Sequence, residues 1–183
     1  MDRDIPRAPD DEPLELLCRP AGCLTVQRGA MVSIRRALLD GSDLQAFLEA
    51  LEVAKARHPD GLVLLATFRL DARFPLPATF DHNLSALAAT LRHIDREIGA
   101  IASLIEFGGV RATAMELASR AVWALGRPSA KMASFRNLSD AAQWLAEVGP
   151  QAGAPGDPSV YVRMYRHNDR RLRALDAERR TGT

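Results

Sequence analysis

The sequence has few cysteines and no long apolar run. Its 183 residues include two cysteines, Cys18 and Cys23, so disulfides do not organise the fold. Zinc sites need further histidine or cysteine ligands at short spacing, and this segment offers none, so we expect ordinary cysteines and no metal site. No apolar stretch approaches the roughly 20 residues of a spanning helix, which predicts no membrane insertion.

The sequence also lacks a strong excess of either charge. The net charge of +1 gives no global field that would attract nucleic acid or a membrane surface. The first residues, Met1-Asp2-Arg3-Asp4, are acidic and are followed by prolines, unlike a signal peptide. We therefore expect a cytoplasmic protein without a nucleic-acid ligand. Its 47% hydrophobic and 26% charged residues are typical of a globular chain.

The two ends of the chain carry opposite charges. Residues 1–20 hold six acids, three bases and four prolines, which predicts an acidic arm of net charge −3. Residues 157–183 hold seven arginines and four acids, for a net charge of +3. Acids such as Asp169 lie between these arginines, which favours a solvated helix over a nucleic-acid surface. A salt-sensitive contact between the two ends is left open.

Strand and helix patterns alternate along the first half. Alternation over residues 23–28 and 31–35 predicts a hairpin. Ser42, with Gln45 three places later, forms a capping box and predicts a helix to about residue 57. The apolar run 62–68, Leu-Val-Leu-Leu-Ala-Thr-Phe, predicts a central strand that is covered on both faces.

The second half continues this alternation and ends in a basic helix. We predict a domain over residues 21–149, a linker over 150–158 that is rich in glycine, proline and alanine, and a basic helix and tail over 159–183. Tyr161 and Tyr165 are expected to pack on the domain or on a second subunit, so a homodimer is considered. Within the domain the predicted elements are a helix at about 80–99 ended by Gly99, a strand at 101–107, a helix at 111–125, a strand at 131–135, and a helix capped by Asn137 or Ser139.

Few residues carry a recognisable chemistry. Gly108-Gly109 leads from a strand into a helix, but it lacks the lysine and the longer glycine pattern of a phosphate loop. His82 and His93 lie eleven residues apart on the polar face of a predicted helix, which favours a solvated surface over a ligand pair. No nucleophile elbow, Cys/His pair or carboxylate pair is found, so we assign no catalytic residue and no cofactor.

The order of elements resembles the STAS domain of bacterial anti-sigma factor antagonists and sulfate transporters. The resemblance rests on the hairpin 23–35, the capped helix from Ser42, the strands 62–68 and 101–107, and the closing segment 135–145, Phe-Arg-Asn-Leu-Ser-Asp-Ala-Ala-Gln-Trp-Leu. It implies an α/β fold, with a mixed sheet of about five strands and about four helices largely on one side, followed by the C-terminal helix. It also implies regulation or signalling by protein-protein interaction.

The chain departs from this family at the loop after the central strand. Family antagonists carry an Asp-Ser-Ser-Gly-like motif whose serine is phosphorylated, whereas here Thr79 alone offers a hydroxyl near that place. A phosphate on Thr79 would gain from a helix start but would be opposed by Asp81. The predicted partner surface consists of Phe74, Leu76, Thr79, Asp81, Gly108 and Gly109.

The sequence therefore predicts a non-catalytic regulatory or scaffold protein that binds a protein partner. Two alternatives remain open at this stage. One is a small-molecule or lipid binding protein with a pocket under the loop 69–80. The other is an enzyme that uses His82 or His93.

Overall fold

The computed structural model describes residues 14–16, 23–28, 31–36, 41–68, 98–126 and 130–181. In this part of the chain, an opening set of strands is followed by alternating helices and strands, which confirms the predicted α/β class. The elements in chain order are β1 (Leu14–Leu16), β2 (Cys23–Arg28), β3 (Met31–Arg36), α1 (Gly41–Arg57), β4 (Leu62–Phe68), β5 (Ile98–Ile105), α2 (Gly109–Gly126), β6 (Lys131–Phe135), α3 (Leu138–Val148), a 3-10 helix (Gly149–Ala152) and α4 (Pro158–Thr181).

The described strands form one mixed six-stranded sheet whose spatial order follows chain order from β1 to β6. β1, β2 and β3 are antiparallel neighbours, and β3 to β6 run parallel. The predicted hairpin is confirmed, with Cys23 opposite Arg36. The sheet has one strand more than the five predicted. The additional strand is β1, which comes from the predicted acidic arm and pairs Glu15 with Val26. Residues 14–16 of the arm therefore form an edge strand of the sheet.

Strand β4 is enclosed on both faces, as its sequence predicted. None of the residues from Leu62 to Thr67 is more than 7% exposed. Successive side chains of a strand point to opposite faces, so burial of consecutive residues requires a layer on each side. This explains why the run contains almost no polar residue.

Helices cover both faces of the sheet. α3 and α4 pack over a row of side chains that includes Val63 and Leu104. On the opposite face, α2 packs on Ile105 through Ala112 and Met115. The family resemblance implies helices largely on one side. The described helices differ from it because the chain after β6 turns across the other face, where α3 and α4 remove that row from water.

The predicted boundary between residues 99 and 101 is wrong. Most of the helix expected at about 80–99, residues 80–97, lies outside the described residues, but Ile98 and Gly99 belong to strand β5. The strand therefore starts before residue 101 and ends at Ile105. Ile98 pairs with Leu62 and is 1% exposed. Pairing with β4 and burial of Ile98 override the local tendency of glycine to end a helix.

The predicted linker lies against the amino ends of the parallel strands. It opens with the 3-10 helix and continues to the start of α4. A Cβ at Gly61 would lie 1.5 Å from the carbonyl oxygen of Ala152, and a Cβ at Gly153 would lie 1.9 Å from that of Asp60. Both glycines also have positive φ, 139° and 71°. Two backbone segments thus approach more closely than any other residue allows, and they close this edge.

Helix α4 shares the core of the sheet. Tyr161 is 0% exposed, and its Oη donates a 2.7 Å hydrogen bond to the carbonyl oxygen of Pro155. Burial raises the pKa of the Tyr161 hydroxyl to about 12. Asn168 Nδ2 donates to Ser33 Oγ of β3 at 2.8 Å. Tyr161 and Tyr165 therefore pack in the core of their own chain.

Candidate functional site

The carboxyl ends of β5 and β6 frame an open depression. After β5 the chain enters α2 on one face of the sheet, and after β6 it enters α3 on the other. Neighbouring parallel strands whose next helices lie on opposite faces leave a crevice beyond their carboxyl ends, where open α/β sheets bind ligands. The depression has a volume of about 560 Å³ and is lined by Leu104, Ile105, Glu106, Phe107, Gly108, Arg136, Asn137 and Leu138.

Glu106 places an exposed carboxylate in this depression. Its Oε1 accepts a 2.6 Å hydrogen bond from Oη of Tyr165, a residue of α4 that is 7% exposed. The bond joins a buried helix face to the carboxyl edge of the sheet. It restricts the Glu106 side chain and links the depression to the core.

Arg136 connects the two walls of the depression. It follows β6 directly, and its Nε forms a 2.6 Å ion pair with Oε1 of Glu116 on α2. Its Nη1 donates to the carbonyl oxygen of Phe107 at 3.2 Å. The guanidinium therefore holds α2 and the segment after β5 against the end of β6, and Glu116 balances its charge.

Two helices begin beside the depression. α2 starts at Gly109, whose φ is 73°, and α3 is capped by Asn137, whose Oδ1 accepts from the Asp140 amide at 2.8 Å. Helix starts carry unpaired amides and a partial positive charge, which suits polar or anionic groups. Among the residues lining the depression none is a serine, cysteine or histidine. The lining therefore offers hydrogen bonds and apolar walls for binding.

The outer face of α2 adjoins this edge and is apolar. Val110, Leu117 and Leu125 are 87%, 60% and 53% exposed. The inward face is also apolar, since Ala112 and Met115 are buried against the sheet. We use the term α2 outer face for the row formed by Val110, Ala114, Leu117, Ala121 and Leu125.

The structure describes two of the residues predicted to bind a partner. Gly108 lines the depression and Gly109 begins α2, and both are exposed. In the described residues, no group of three His, Cys, Asp or Glu side chains is placed to hold a metal ion. The remaining candidates lie outside the described residues; they are Phe74, Leu76, Thr79, Asp81, His82 and His93.

Sequence reasoning missed Glu106, Arg136 and Tyr165. A local signal existed for the first two, because each is a charged residue placed at or just after the end of a predicted strand, and sites form at strand ends in open α/β sheets. Tyr165 had no such signal. It is 59 residues from Glu106 in the chain, and their contact depends on how α4 crosses the sheet.

Comparison of the chain with protein-family models, curated proteins and solved structures finds no match. Function is therefore inferred from the chain's own residues. Across the ranges described above, no helix is both long and apolar enough to cross a membrane.

Proposed function

We propose that this chain is a non-catalytic regulatory or scaffold protein, STAS-like in its hairpin, first helix and central strand, that acts by binding another protein. The α2 outer face carries the proposal. Val110, Leu117 and Leu125 are more than half exposed, and Ala114 and Ala121 lie between them. Steps of three and four residues keep these side chains on one side of the helix.

This face is unusual for a surface helix. Such a helix normally turns its apolar side to the core and its charged side to water. α2 already buries Ala112 and Met115 against the sheet, so the packing of this helix on the sheet does not use its outer apolar row. Contiguous exposed apolar side chains mark interaction sites. Full burial of each large side chain contributes about 1.5–3 kcal/mol to binding before the costs of association.

The charges beside the row indicate the partner's chemistry. Arg111 and Arg120 are exposed, and at about 100° per residue they fall on opposite sides of the apolar row. An amphipathic helix with an apolar stripe and acidic flanks would match both features. The opposite charges at the rim would speed association and fix the partner's orientation.

The proposal extends to the loop predicted to bind a partner. Phe74, Leu76 and Asp81 belong to it on the basis of sequence alone, and Gly108 and Gly109 adjoin the start of α2. Phosphorylation of Thr79 would add negative charge and repel an acidic partner. Mass spectrometry after incubation with candidate kinases tests this part; a Thr79 that is never phosphorylated removes it.

Leu117→Glu tests the α2 outer face. We expect a tagged variant to capture at least about tenfold less of the partner from an extract of the source organism, because a charge cannot be buried in an apolar contact without loss. Val53→Glu is the matched control, since Val53 is 48% exposed on α1. Circular dichroism confirms that both variants are folded.

Direct binding then decides the assignment. The captured protein is purified and titrated calorimetrically against wild type and both variants. The proposal is supported if Leu117→Glu loses binding of the captured protein and Val53→Glu retains it. The proposal is contradicted if Leu117→Glu still binds the captured protein, or if both variants lose binding equally.

Small-molecule binding is a second candidate, favoured by the depression of about 560 Å³. Native mass spectrometry of the protein purified from its source tests it. A bound mass should disappear in Gly108→Phe, because a Cβ at Gly108 meets nothing within 4 Å and the ring can fill the space. Repeated absence of a bound mass in wild type contradicts this candidate.

A further inference from the structure

Helix α4 presents a row of arginines to solvent. Arg163, Arg166, Arg170 and Arg173 are all exposed. At about 100° and 1.5 Å per residue, they fall within an arc of about 80° and extend over about 15 Å of the helix. We call this row the arginine face of α4. Since like charges repel one another at this spacing, the row favours an anionic occupant.

The opposite side of α4 is committed to the core. Tyr161, Met164 and Asn168 are each at most 9% exposed. Asp169 interrupts the arginines in sequence, but it is also 9% exposed and pairs with Nε of Arg173 at 2.8 Å. Asp169, whose position among the arginines favoured a solvated helix in the sequence, therefore lies at the edge of the buried side of α4. Arg163, Arg166 and Arg170 form the more basic part of the face.

The chain contains an acidic segment that can reach this face. Residues 1–13 hold five acids and two arginines, a net charge of −3, and only Pro13 separates Asp10-Asp11-Glu12 from β1. β1 pairs with β2, and α4 contacts β2 and β3. Thirteen residues span up to about 43 Å when extended, nearly three times the length of the arginine face.

We propose that the arginine face of α4 is a binding site for an acidic peptide and that residues 1–13 of the same chain occupy it. Each exposed ion pair is weak and is screened by salt. The connection through β1, however, gives the segment an effective concentration on the order of millimolar, so several weak pairs suffice. The site is separate from the α2 outer face and does not depend on its role.

Competition with a labelled hexaglutamate peptide tests the proposal in the full-length protein. In Asp10→Asn/Asp11→Asn/Glu12→Gln, the face is vacated, and the probe should bind roughly tenfold more tightly than to wild type at low salt. Adding Arg163→Gln/Arg166→Gln/Arg170→Gln should abolish that binding. The matched control adds Lys55→Gln/Arg57→Gln/Lys131→Gln, which removes three basic side chains away from both the arginine face and the α2 outer face and should retain it.

Four results would overturn the proposal. The first is equal probe affinity for wild type and the variant with the neutral segment. The second is equal loss of binding in the arginine-face variant and its matched control. The third is tighter binding of a short single-stranded DNA than of hexaglutamate by the neutral-segment variant, which would assign the face to phosphate. The fourth is an affinity of wild type for the probe that rises when the protein is diluted, which would mean that the acidic segment binds the arginine face of a second copy.

Discussion

Glycines at the amino ends of the parallel strands are closely packed, whereas those at the carboxyl ends have open space around them. At the amino edge, Gly61 and Gly153 allow backbone contacts with Ala152 and Asp60 that leave no room for a Cβ. At the carboxyl edge, a Cβ on Gly109 would meet nothing within 4 Å. Gly153 and Gly109 share a positive φ, 71° and 73°. The same residue in the same conformation thus closes one edge and leaves the other accessible.

This difference separates stability from binding. The segment that closes the amino edge leads into α4, whose Tyr161 is buried in the core. The carboxyl edge carries the depression and the start of α2, where exposed groups can meet a ligand or partner. We expect substitutions at the first edge to change the free energy of unfolding and substitutions at the second to change binding.

Gly61→Ala is expected to have the largest effect. Its Cβ would lie 1.5 Å from a backbone oxygen, and its φ of 139° is unfavourable for alanine, so the closed edge must open. We expect a loss of about 3 kcal/mol or more in the free energy of unfolding, measured in urea. Gly108→Ala, at the open edge, should change it by less than about 0.5 kcal/mol. Similar values for the two variants would break the comparison.

Gly99→Ala should be rescued by a second substitution. The added Cβ would lie 2.0 Å from the Cβ of Ala152, which is a side-chain clash. We expect a loss of about 2 kcal/mol for Gly99→Ala, recovered in large part in Gly99→Ala/Ala152→Gly. A double-mutant cycle measures the coupling. Purely additive losses would show that the two residues do not meet at this edge.

Tyr161→Phe should change how the free energy of unfolding of the protein depends on alkaline pH. The folded pKa of about 12 lies above the ordinary value of 10.0, so wild type loses stability as the pH rises from about 10 through 12 and is unaffected below. Near neutral pH, Tyr161→Phe should cost about 1 kcal/mol through its lost hydrogen bond. Between pH 10 and 12 the difference in free energy of unfolding between wild type and Tyr161→Phe should narrow. Urea unfolding at several pH values would measure it. A constant difference contradicts this account.

Local sequence patterns predicted much of the sheet. Alternation marked β2 and β3, the apolar run marked β4, and the capping residue Asn137 was one of the two expected for α3. These signals work because strand alternation, apolar burial and helix caps depend on residues that are close in sequence.

Contacts between distant segments were not predictable in the same way. Glycine and proline in residues 150–158 signalled an irregular backbone, but they could not show that it fits against Gly61 and Gly99. Likewise, Tyr165 gave no sign of its bond to Glu106, or Arg136 of its pair with Glu116. Such contacts depend on the crossing of whole elements, which local propensity does not encode.

The free energies of unfolding of Gly153→Ala and Gly109→Ala test the contrast between the edges most directly. Both substitutions place alanine at nearly the same positive φ, so the backbone cost of about 1 kcal/mol is shared. Only Gly153→Ala adds a Cβ that would lie 1.9 Å from a backbone oxygen. The account predicts that Gly153→Ala loses at least about 2 kcal/mol more than Gly109→Ala. Equal losses in urea unfolding would contradict it.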